Sequence, residues 1–148
     1  MPLANIEVSL EKSVLPCAVE RFLCQADDRI SKFVRCNPKR ETGFVPSDYV
    51  SVYFALRAIY HANLSSGNSL CEWGSGFGVV SSLASILGFT ACGIEIENTL
   101  IDASRALADD FALPVEFMHG SFVPPGAEAH AAEAYADNNG EYPWLIKD

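Results

Sequence analysis

Three glycines at alternate positions, in Glu72-Trp73-Gly74-Ser75-Gly76-Phe77-Gly78, constrain this chain more than any other feature. Glycine loses more backbone freedom on folding than other residues, so such a run gains nothing inside a helix or strand. It suits a tight turn, where a ligand can lie against the main chain without meeting a Cβ. The flanks agree: residues 69–73 read as a short strand, and residues 79–87 as a buried helix stopped by Gly88. A helix beginning at such a turn offers free N–H groups and a positive dipole to a negatively charged ligand group.

The alternation continues downstream. Residues 90–94 read as a strand ending in acidic residues, residues 98–111 as a helix with Leu100, Ile101, Ala103, Ser104, Leu107 and Ala108 inward, and residues 115–118 as a third strand. Strand–helix–strand–helix–strand is the signature of an α/β parallel sheet covered by helices. Right-handed crossovers set its three strands side by side. Upstream, Val19, Phe22, Leu23, Ala26, Ile30 and Phe33 recur at helical spacing from Pro16 to about residue 33. Pro16 suits a first helical turn, and Pro38 cannot continue the helix. A second helix is expected over about 47–63, with Ser47 as N-cap and Asp48 in its first turn. The chain thus divides into an extended or poorly ordered start (1–15), a helical lead-in (16–66), the strand–helix unit (67–122) and an acidic, Ala-rich tail (123–148). A short helix is expected over 127–136 of that tail, which ends on the apolar cluster Tyr142, Pro143, Trp144, Leu145 and Ile146.

The 148 residues, 49% apolar and 20% charged, fit one domain with a buried core. Five cysteines without a CxxC pair support neither a disulfide framework nor a zinc ribbon. Free thiols in a reducing cytoplasm suit them better. A net charge of −9 speaks against a general nucleic-acid binder. Residues 1–60 carry eight Lys/Arg against seven Asp/Glu, and residues 61–148 two against twelve. Arg35, Lys39 and Arg40 form the local basic cluster, read as a solvated loop. No apolar run approaches the roughly 20 residues that span a bilayer, so no membrane partner is expected. The first residues lack the basic start and apolar stretch of a secretory signal.

The glycine spacing also bears on the ligand. A dinucleotide fingerprint is GxGxxG, which would put its third glycine at Val79; here it comes one residue early, at Gly78. GxGxG preceded by an acid resembles motif I of the class I S-adenosylmethionine-dependent methyltransferases, (D/E)xGxGxG. The resemblance extends over about residues 44–122. Gly93-Ile94-Glu95, followed by Leu100-Ile101-Asp102-Ala103-Ser104-Arg105, is similar to the family's GxE step and following helix. It implies that Glu95 accepts the ribose hydroxyls, with Glu97 as fallback. Met118-His119-Gly120-Ser121-Phe122 stands where the family often carries GD, so Ser121 takes the place of the adenine-contacting acid, with His119 at the strand end.

The implied cofactor-binding set is Glu72, Gly74, Ser75, Gly76, Gly78, Glu95 and Ser121, holding S-adenosylmethionine and its product S-adenosylhomocysteine. The implied fold is Rossmann-like, with only about three strands of the family's seven. The family's (D/N)PPY motif is not found, and no residue stands out as a catalytic base. Residues 44–49 and their helix are similar to the lead-in of protein-lysine methyltransferases, which makes a protein lysine one candidate acceptor. The open sheet edge implies association with a second copy or another chain. The alternatives are an NAD- or FAD-binding domain and a non-catalytic interaction domain.

Overall fold

The computed structural model describes residues 14–36 and 45–127, which form four helices and three strands. Helix α1 (Cys17–Cys36) buries one stripe, Val19, Phe22, Leu23, Ala26 and Ile30. Glu20 in its first turn and Arg35 in its last complement the helix dipole. It runs past residue 33 because nothing breaks it there. Helix α2 (Tyr49–His61) is capped by Asp48, not by Ser47 as expected. The Asp48 carboxylate accepts the Ser51 N–H at 3.1 Å and the Ser51 hydroxyl at 2.7 Å. A carboxylate three residues before that N–H meets the helix's unsatisfied donors with full charge.

Strand β1 (Ser69–Trp73), helix α3 (Val79–Leu87), strand β2 (Thr90–Glu95), helix α4 (Asn98–Asp110) and strand β3 (Glu116–His119) complete the fold. The molecule is α/β, with a three-stranded parallel sheet in the order β1-β2-β3, a partial Rossmann-like arrangement. β2 runs one residue further than expected and β3 is displaced by one. Glu95 pairs with His119, and the Gly120 N–H reaches the Glu95 carbonyl at 2.9 Å, which carries the ladder that far.

Two successive right-handed crossovers in one direction put α3 and α4 on the same face of the sheet. Burial agrees: Ala91, Gly93, Glu95 and Phe117 point into the covered side. The core gathers Phe22, Leu83, Ala84, Phe89, Leu100 and Leu107 between the helices and the sheet. Edge-on aromatic pairs fasten the lead-in helices to the strand–helix unit: Phe22 on Phe111 at 5.1 Å, Phe33 on Phe77 at 5.3 Å and Tyr60 on Phe89 at 5.2 Å. Arg29 of α1 pairs with Asp110 at the end of α4.

The alternate residues face the other way. Ser69, Cys71, Trp73, Thr90, Glu116 and Met118 are exposed and Cys92 and Ile94 half-buried, so the described residues leave this second face of the sheet open. No helix among the described residues is long and apolar enough to cross a membrane. Residues 1–13 of the expected extended start, the cluster residues Lys39 and Arg40, residues 128–136 of the expected tail helix and the Tyr142–Pro143–Trp144–Leu145–Ile146 cluster lie outside the described residues.

Candidate functional site

The carboxyl ends of the three strands meet around the glycine turn. Gly74, Gly76 and Gly78 take φ of +68°, +53° and +66°, a region that other residues enter only with strain. The turn folds back over β2: the N–H groups of Gly74 and Ser75 both donate to the Ile94 carbonyl, at 2.9 and 3.0 Å. Gly78 donates to the Ser75 carbonyl at 2.7 Å and serves as the N-cap of α3. The glycines are required for different reasons. A Cβ on Gly78 would stand 2.3 Å from Phe117 and 2.9 Å from Ser104, so α4 and β3 demand a glycine there. A Cβ on Gly74 would meet nothing nearer among the described residues than Phe122, at 3.9 Å, so they leave the space above that residue open.

Glu72 reaches from β1 to the start of α3. Its Oε2 accepts both the Ser81 N–H, at 2.9 Å, and the Ser81 hydroxyl, at 2.6 Å. It thereby takes up a donor at the positive end of the helix, the work a capping side chain normally does. Burial pushes its carboxyl up to about 7, with the Ser81 bonds pulling the other way and the Glu95 charge adding to the rise. Its second oxygen has no hydrogen-bond partner among the described residues. Tyr49, at the start of α2, is half-buried nearby, and burial and then the Glu72 charge raise its phenol to about 12.

Glu95 is buried, 7% exposed, and braces two loops. Its Oε2 accepts the Gly76 N–H at 2.8 Å, and its Oε1 the N–H groups of Ile96 at 2.8 Å and Glu97 at 3.0 Å. A carboxylate offers about four acceptor positions, so one remains for a ligand hydroxyl. Glu97 lies beyond β2, exposed, as the N-cap of α4 with no side-chain bond to it. Ser75 turns toward β2 and sits where a Gly93 Cβ would be, its hydroxyl buried without a partner. Ser121 is exposed and its oxygen accepts the Val123 N–H at 3.0 Å, leaving its own O–H to donate. His119 is exposed with Nε2 2.9 Å from the Ile96 carbonyl; a carbonyl can only accept, so that nitrogen carries the proton.

Glu72, Gly74, Ser75, Gly76, Gly78 and Glu95 therefore gather at one turn, and Ser121 lies on the neighbouring loop after β3. Sequence reasoning missed two neighbours. Tyr49 ends the 44–49 lead-in segment, which assigns it no role at the glycine turn. Trp73 occupied the free position of the glycine motif, yet it stacks on Phe122 at 5.7 Å and 8° with 67% of its surface exposed. With Ile96, 64% exposed, this pair forms an apolar rim at the strand ends. Arg29, Lys32, Phe33 and Cys36 of α1, Ala103 and Ala106 of α4, and Phe77 of the glycine turn line a depression between these elements. No group of three or more His, Cys, Asp or Glu among the described residues could hold a metal ion. A search of protein-family models finds none that matches this chain, and no curated protein matches its sequence.

Proposed function

We propose that this chain binds S-adenosylmethionine at the glycine turn, as a methyltransferase or methyltransferase-like domain. The observation that carries this reading is Glu72 on the N-terminus of α3. A dinucleotide's diphosphate seeks the free N–H groups and positive potential of such a helix start. Here a carboxylate has taken up one of those donors and set its own charge there. A ligand with a cationic amine at the same place is favoured where a phosphate is opposed.

The residues fit such a cofactor. The free oxygen of Glu72 would accept its ammonium, and the open space at Gly74 admits it along the main chain. The remaining acceptor position of Glu95 would take a ribose hydroxyl. The Ser121 O–H would reach a ring nitrogen, with the rim of Ile96, Trp73 and Phe122 against the base. When bound, the cofactor supplies an activated methyl group on a sulfonium. The protein's part is then to hold donor and acceptor in line. The acceptor is proposed only as a nucleophile such as a protein lysine. A cytoplasmic setting belongs to the same reading and rests on the cysteine pattern.

Calorimetry with S-adenosylhomocysteine, S-adenosylmethionine, NAD and FAD tests the proposal. The first two are expected to bind and the last two to give no heat. NAD or FAD bound with S-adenosylhomocysteine ignored would overturn it. A second reading, a non-catalytic interaction domain, is favoured by one observation: Gly74, Ser75, Gly76 and Gly78 all spend their N–H groups within the protein. Failure of all four ligands would support it.

A further inference from the structure

The proposed function leaves the cysteines unused, and the fold brings two of them together. Cys71 and Cys92 are Cα partners in the β1–β2 ladder, so both side chains leave the sheet on its open face. Neighbouring strands lie about 4.8 Å apart, and disulfides span Cα separations of roughly 4.4–6.8 Å. The ladder thus places the two Cα atoms within the span a disulfide requires. The thiols already act on each other: burial raises the Cys92 thiol, and a hydrogen bond and charge from Cys71 and the charge of Glu116 add to the rise. Cys71 is exposed and Cys92 partly so, which makes Cys71 the thiol an oxidant meets first. Cys17, Cys24 and Cys36 share one helix. At least seven residues separate any two of them, about 10 Å along the axis and beyond disulfide reach.

We propose that Cys71 and Cys92 are a redox-active dithiol that closes to a cross-strand disulfide, with a small-molecule disulfide such as oxidised glutathione as the oxidant. The Cys71 thiolate attacks the oxidant, forming a mixed disulfide and releasing one glutathione thiolate. Cys92 gives its proton to solvent and attacks the Cys71 sulfur, and the second glutathione thiolate leaves. Two protein thiols are oxidised and one disulfide is reduced to two thiols. The bridge ties the outer strand to β2 one residue before Glu72, and two residues before Ile94, whose carbonyl holds the glycine turn. Oxidation thus stiffens the mount of the candidate site.

The test incubates the full chain with oxidised glutathione. The expected product is a monomer lacking two hydrogens, with the peptides released by cleavage after Glu72 still joined through Cys71 and Cys92. Its melting temperature should rise by about 5–10 °C and return with dithiothreitol. Cys71→Ser and Cys92→Ser should each lose the bridge and the rise, and Cys17→Ser/Cys24→Ser/Cys36→Ser should keep both. Phenylarsine oxide, which needs two adjacent thiols, gives a check on the unaltered chain: one equivalent should bind and protect Cys71 and Cys92 together from alkylation. A stable glutathione adduct on Cys71 with Cys92 still free, a bridge joining two copies, or arsenical that leaves either thiol open to alkylation would overturn the proposal.

Discussion

At the residue scale, Glu72 and the glycines beside it make separable predictions. A carboxyl raised from 4.5 to about 7 is protonated in the folded chain where the unfolded chain has already lost its proton. The native state then binds more protons across that window, so stability falls as pH rises from about 4.5 to 7 and the penalty is complete above it. Glu72→Gln keeps an acceptor for Ser81 and removes the charge. It should flatten this dependence and gain on the order of 2 kcal/mol relative to the natural chain at pH 8, as read by urea unfolding at several pH values. Ligand binding should move the opposite way. An ammonium beside Glu72 prefers the ionised form, so affinity for S-adenosylhomocysteine should climb with pH through about 7 in the natural chain. Glu72→Gln should lack that climb.

The glycines divide by what surrounds them. Gly78→Ala drives a Cβ into Phe117 at 2.3 Å and should cost at least about 3 kcal/mol of stability. Gly74→Ala meets only its unfavourable φ of +68°, roughly 1–2 kcal/mol. That variant should stay folded and still lose the ligand at least tenfold by calorimetry. Unchanged affinity in folded Gly74→Ala would mean that no ligand crosses the turn there.

At the element scale, the cap of α2 gives the plainest measurement. Asp48→Ala removes the acceptor for Ser51 and should lower stability by about 1 kcal/mol, whereas Ser47→Ala should change it by less than about 0.5 kcal/mol. Misplacing that cap by one residue shows where legibility ends. Both residues are good caps, and backbone geometry alone selects between them. The strand–helix alternation was readable because each element carries its own local signal: apolar spacing for α1 and α4, Gly88 for the end of α3, the glycine run for the turn. The inner wiring of the site was not. Nineteen residues separate the Glu95 carboxylate from the Gly76 N–H it braces, and Trp73 reaches Phe122 across the whole unit. Ser75 belongs to the implied cofactor-binding set by its place in the motif alone, and the sequence gives no sign that its side chain packs against β2 where Gly93 has no Cβ. Such contacts depend on which strands become neighbours, and no local pattern records that.

At the scale of the whole molecule, the asymmetry of the sheet among the described residues motivates a prediction about association. The helices lie on one face, and the described residues leave the other open, with Trp73, Met118 and Phe122 exposed on or beside it and the outer edge of β1 unpaired. An unpaired edge beside an apolar surface favours pairing with a second copy about a two-fold axis. The net charge of −9 opposes that contact by repulsion between copies. The balance of the two predicts a particular dependence on salt. Raising it from about 0.1 M to 1 M shortens the Debye length from about 10 Å to 3 Å, which removes the repulsion and leaves the apolar contact. Sedimentation velocity should therefore show dimer growing with salt, the reverse of what a contact held by ion pairs would do. Trp73→Ser/Phe122→Ser should abolish that growth with a small change in melting temperature, because the two residues are already 67% and 41% exposed. A chain that stays monomeric at every salt concentration would mean that the open face is satisfied without a second copy.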